Sequence, residues 1–129
     1  MGRSGQTLRL VADDEERFIA EPRRDWIERR ASPREQVYLT GLVVRPDGST
    51  FSCVIVDRSR GGFRIQTGDE AVPDRFGLID LVAGSGYLAE AVWRNAPQAG
   101  LRRLTTYDLR APEDEFSARM RDAWRDALA

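Results

Sequence analysis

The chain has 129 residues, 41% of them apolar and 32% charged, and a formal charge of −1. That length suits one domain with a single core, and the composition excludes a chain too polar to fold. Near-neutral charge argues against bulk attraction to nucleic acid or to anionic lipid.

All twenty cations are arginine, so each is a planar fork able to grip phosphate bidentately and to stack on a base. Histidine is absent. That removes Ser-His and Cys-His nucleophilic catalysis and the usual zinc sites, and the lone Cys53 supplies no ligand set. Cys53 lies in an apolar run and reads as a small core residue, in keeping with a reducing compartment. No apolar run reaches the length of a membrane span, and Met1-Gly2-Arg3-Ser4-Gly5 has no signal-peptide core. The expectation is a cytoplasmic protein without metal or cofactor, and not an enzyme.

In chain order, residues 1–26 read as an extension, partly disordered and partly helical. Its acids Asp13, Asp14, Glu15 and Glu16 suit a first helical turn, and Pro22 ends that helix. A short helical turn over Asp25–Arg30 follows, and Pro33 pushes Ser32 into extended geometry. Six strands are then predicted: 35–45, 50–56, 63–67, 76–82, 87–94 and 99–104. Their separators are Pro46-Asp47-Gly48-Ser49, the glycine pair Gly61-Gly62, a loop over 68–74, Gly84-Ser85-Gly86 and Asn95-Ala96-Pro97. The first strand is apolar on both faces, with Val37, Leu39 and Val43 opposite Tyr38, Leu42 and Val44. Trp93 reads as part of the strand wall, its ring covered. Six short strands with turns between them suggest a closed antiparallel barrel.

Residues 113–129 form the last element. Pro112-Glu113-Asp114-Glu115 opens a helix whose stripe of Phe116, Met120, Ala123, Trp124 and Leu128 is expected to pack on the sheet. The other use of such a stripe is an interface with a second copy or a partner.

Two short clusters carry the functional reading. One is Arg29-Arg30-Ala31-Ser32-Pro33-Arg34; the other is Asp57-Arg58-Ser59-Arg60-Gly61-Gly62, between the second and third strands. Taken alone, the second is a tight corner in which Asp57 and Ser59 cap backbone groups and glycine supplies freedom. Together they resemble the PilZ family, small bacterial β-barrels that bind the second messenger cyclic di-GMP. The family's Arg-x-x-x-Arg is matched by Arg30 and Arg34, and its Asp/Asn-x-Ser-x-x-Gly by Asp57, Ser59 and Gly62. Ala91-Val92-Trp93-Arg94 and Gly100-Leu101-Arg102 are similar to the family's late strand pair, so the resemblance spans residues 27–112.

The resemblance implies a six-stranded PilZ-type β-barrel with a C-terminal helix and a short N-terminal helical arm. It places Arg30 and Arg34, with Arg29 as a third contact, against guanine and phosphate, and Asp57 against the guanine edge. Ser59 would offer its hydroxyl, and Gly62 would admit the ligand close to the backbone. Arg58 departs from the aliphatic residue usual at its position, and Arg60 and Arg64 add charge nearby. The expected function is a stand-alone cyclic di-GMP receptor or adaptor. Ligand would alter the arm's conformation and the affinity for a downstream protein partner. A ligand-independent interaction module of the same fold is the alternative. Single-stranded nucleic-acid binding would need stacking aromatics along a basic groove.

Overall fold

The computed structural model describes residues 33–129. The predicted N-terminal helical arm, with Arg29 and Arg30, lies outside those residues. The chain divides into two compact units, one of Gln36–Asp57 with Gly62–Ala129 and one of Met1–Glu35 with Arg58–Gly61.

Six antiparallel strands make one sheet: β1 (Glu35–Val44), β2 (Thr50–Arg58), β3 (Gly62–Gln66), β4 (Arg75–Asp80), β5 (Ser85–Asn95) and β6 (Gln98–Asp108). Their order is β1-β2-β3-β6-β5-β4, and the sheet closes because β1 also pairs with β4, Leu42 opposite Ile79 and Val44 opposite Gly77. One helix, α1 (Glu115–Leu128), follows.

Alternation along the strands fills the inside of the ring. Phe51, Cys53 and Ile55 of β2, Phe63 and Ile65 of β3, Phe76 and Leu78 of β4, and Tyr87 and Ala89 of β5 form one buried cluster. Burial pushes the Cys53 thiol up to about 12, so it stays protonated.

The outer face of β1, β4 and β5 carries a second cluster. Leu42, Val44, Ile79 and Leu88 meet Phe116, Met120, Ala123 and Trp124 of α1. This explains the two-sided apolarity of β1: one face lines the ring and the other lies under the helix. Tyr38 is the exception, being 83% exposed. The helix comes close because its floor is glycine. A Cβ on Gly77 would sit 2.9 Å from the Met120 sulfur, and one on Gly86 2.8 Å from Leu109. Trp124 fastens the next turn, its indole N–H donating to the Leu81 carbonyl at 2.8 Å.

Several predicted boundaries move. The fourth strand stops at Asp80, and Leu81–Gly84 is the turn, because Asp80 Oδ1 accepts from the Ala83 N–H at 3.1 Å and Gly84 takes φ +72. Ser85 and Gly86, read as the turn, therefore open β5. The helix begins at Glu115, and Pro112 and Glu113 precede it. Asp114 is its N-cap, accepting from Ser117 N at 2.7 Å while Asp114 N donates to Ser117 Oγ at 3.0 Å. Leu128, expected in the apolar stripe, is 59% exposed.

Candidate functional site on the outer face of β3, β6 and β5

Asp57 stands near the end of β2 and is 6% exposed despite its charge. A carboxylate so deep needs compensation, and Arg64 of β3 supplies part of it: Arg64 Nε donates to Asp57 Oδ2 at 3.0 Å. Arg64 Nη1 reaches Gln98 Oε1 of β6 at 3.5 Å, a long contact that leaves this end of the guanidinium loosely held. The Arg64 side chain remains 36% exposed, whereas that of Asp57 is 8% exposed.

Directly opposed residues of antiparallel strands share a face. Arg64 is opposite Gly100 of β6, and Gly100 is opposite Trp93 of β5. A Cβ on Gly100 would enter the Trp93 indole, so the ring packs against that glycine, on the face that carries Arg64. Trp93 is 42% exposed there, correcting the expectation of a covered ring. The cause is a register irregularity between Ala91 and Trp93. Simple alternation through Tyr87, Ala89 and Ala91 aims Trp93 into the ring; one extra residue, Val92, turns it outward. One row away, Arg102 pairs with Glu90 at 3.2 Å, and Glu90 meets Arg75 at 3.5 Å.

Gly62 opens β3 opposite Arg102. A Cβ at this position would collide with the Leu101 carbonyl, so glycine is required here by the approach of β6 itself. That gives the residue a structural reason independent of any ligand.

In the smaller unit, Ser59 Oγ accepts from the Gly61 N–H at 3.3 Å, a local turn bond. Arg58, the departure from the family pattern, is held by Glu35, with Nε 3.0 Å from Oε1. Arg34 is exposed and belongs to the same unit. Of the six residues expected at the site, Asp57 and Gly62 therefore belong to the larger unit and Arg34 and Ser59 to the smaller. Arg29 and Arg30 fall outside the described residues. Gln98 and Trp93 were not legible as site residues: Gln98 sits in no motif, and Trp93, read as part of the strand wall, turns outward only because of a bulge.

Elsewhere, a groove of about 880 Å³ follows α1, lined by Leu42, Val44, Thr50, Phe116, Met120 and Ala123 among others. It involves none of the expected site residues. Among the described residues no group of three or more His, Cys, Asp or Glu is placed to hold a metal, and no helix is long and apolar enough to cross a membrane. Neither a protein-family model nor a curated protein matches the chain.

Proposed function

We propose that this chain is a PilZ-type β-barrel receptor for cyclic di-GMP, cytoplasmic and without catalysis of its own. It acts as an adaptor: ligand alters the arm's conformation and with it the affinity for a downstream protein. The observation that carries this reading is the Asp57 carboxylate held by a guanidinium on the face that displays the partly exposed Trp93 indole. Guanine offers N1–H and N2–H along its Watson–Crick edge, a two-donor fork of the same kind as a guanidinium. A carboxylate that accepts one is chemically suited to the other. Trp93 lies two strands from Arg64, within the span of a dinucleotide, and its exposed aromatic surface suits contact with a base. Arg29, Arg30, Arg34 and Ser59 keep the contacts that the family resemblance assigns them, the arginines to phosphate and guanine.

One observation favours the alternative, an interaction module of the same fold that needs no ligand. Gly62 answers to Leu101, and Ser59 bonds within its own turn, so two motif residues have structural work without a nucleotide. Calorimetric titration separates the readings. In a receptor, Arg34→Ala and Asp57→Ala each weaken cyclic di-GMP binding by about 1.5–3 kcal/mol, roughly ten- to a hundredfold. Unchanged affinity in both variants overturns the site; absence of binding by the wild type favours the module.

A further inference from the structure

Three charged residues lie side by side on the outer face of β4, β5 and β6. Arg75 is opposite Glu90, and Glu90 is opposite Arg102. Arg102 Nη1 donates to Glu90 Oε1 at 3.2 Å, and Arg75 Nε stands 3.5 Å from Oε2, longer than a good hydrogen bond. Two guanidiniums therefore share one carboxylate, and the row carries one positive charge in excess. The neighbouring ion pairs close one to one, Arg64 with Asp57 and Arg94 with Asp74, so they leave that excess uncancelled. Glu90 sits low, its side chain 30% exposed, while those of Arg75 and Arg102 are 66% and 61% exposed. Each fork has more N–H donors than one shared carboxylate can take.

We propose that this row is a second phosphate site of the bound nucleotide, Arg102 touching a phosphodiester while Arg75 holds Glu90 aside. The proposal rests on the cyclic di-GMP reading and adds a contact that neither sequence motif supplies. A phosphodiester is a monoanion with two terminal acceptor oxygens, so it balances the surplus and matches a planar fork. Arg102 is the better placed of the two cations. Across from it β3 presents Gly62, which puts no side chain in the way, and Trp93 and Arg64 lie one row along the same face. Two residues along a strand span about 7 Å. A base on Trp93 and a phosphate on Arg102 thus fall within the reach of one nucleotide. Arg75 acts through Glu90: while it draws one carboxylate oxygen, that group cannot close wholly on Arg102.

The test is calorimetric titration of the full chain with cyclic di-GMP, each variant first shown by thermal melting to be folded. Arg102→Ala should weaken binding roughly fivefold, the scale of one exposed charge-assisted contact, and Arg102→Gln should do the same. Arg119→Ala removes an arginine of similar exposure, 62%, from α1 and should leave affinity within about twofold. Arg75→Ala should weaken binding by releasing Glu90 onto Arg102, and Glu90→Gln in the same chain should restore it. Glu90→Gln should not restore binding to Arg102→Ala, although the two double variants carry the same charge. Wild-type affinity in Arg102→Ala, when the wild type binds, overturns the phosphate site and leaves the receptor reading standing. Wild-type affinity in Arg75→Ala overturns the part given to Arg75. An equal loss in Arg119→Ala, or equal rescue of both single variants by Glu90→Gln, is a general charge effect and also overturns the site. If the wild type does not bind, the receptor reading fails and the phosphate site fails with it.

Discussion

At Gly62 a single added methyl group meets the carbonyl of Leu101, a backbone atom that cannot rotate away. Gly62→Ala should therefore cost about 1–3 kcal/mol, toward the upper end. Its neighbour Gly61 has nothing within 4 Å of its Cβ direction, so Gly61→Ala should stay within about 0.5 kcal/mol. Urea unfolding of the two variants makes the comparison, and equal effects would refute the packing account of this motif glycine. The same scale explains what could be read of the site beforehand. Asp57 and Gly62 stand out in sequence because an acid and a glycine pair interrupt an apolar strand. Their partners do not: Arg64 is one of twenty arginines, and Gln98 carries no distinguishing neighbours. Only the register of β3 on β6 brings Gln98 to Arg64.

The elements were legible wherever a two-residue or a 3.6-residue period runs unbroken, and illegible where a bulge resets it. β2 and β3 follow their apolar alternation. β6 continues four residues past its expected end at Leu104, to Asp108, because Leu104 falls beside the irregularity between Leu88 and Ala89 and spoils the alternation. The helix was legible as an amphipathic stripe, and its start was misplaced because acids are common both in a first turn and at a cap. Two expectations belong here. Met120 is fully buried over Gly77 and Gly86, so Met120→Ala should cost about 2–5 kcal/mol, whereas Leu128→Ala, exposed at the last turn, should stay within about 0.5 kcal/mol. Thermal melting checks both. Asp114 accepts from the Ser117 backbone and side chain, and these bonds hold its carboxyl below the ordinary value of 3.8. A depressed folded value means that the cap stabilises the helix above about pH 4 and is lost as pH falls through the lowered value. Helical ellipticity followed from pH 6 to 2 should show this loss, and Asp114→Asn, which still caps, should flatten the acid limb.

Across the molecule, the two apolar clusters divide the labour between the faces of one sheet. The inner cluster closes the ring, and α1 covers the outer face of β1, β4 and β5, leaving the outer face of β3, β6 and the end of β5 to Arg64, Gln98 and Trp93, with the buried Asp57 of β2 held by Arg64. That division suits the proposed adaptor: a scaffold stabilised on one side, with polar and aromatic groups on the other. The central claim of the proposed function is that the site selects guanine through Asp57. Its most direct test is calorimetric titration of the full chain with cyclic di-GMP and, in parallel, cyclic di-AMP. Adenine sets an acceptor nitrogen where guanine sets N1–H, so the carboxylate favours guanine and repels adenine. Saturable binding of cyclic di-GMP, at least about tenfold tighter than that of cyclic di-AMP, is the expected result. No binding of cyclic di-GMP, or equal affinity for the two, would contradict it.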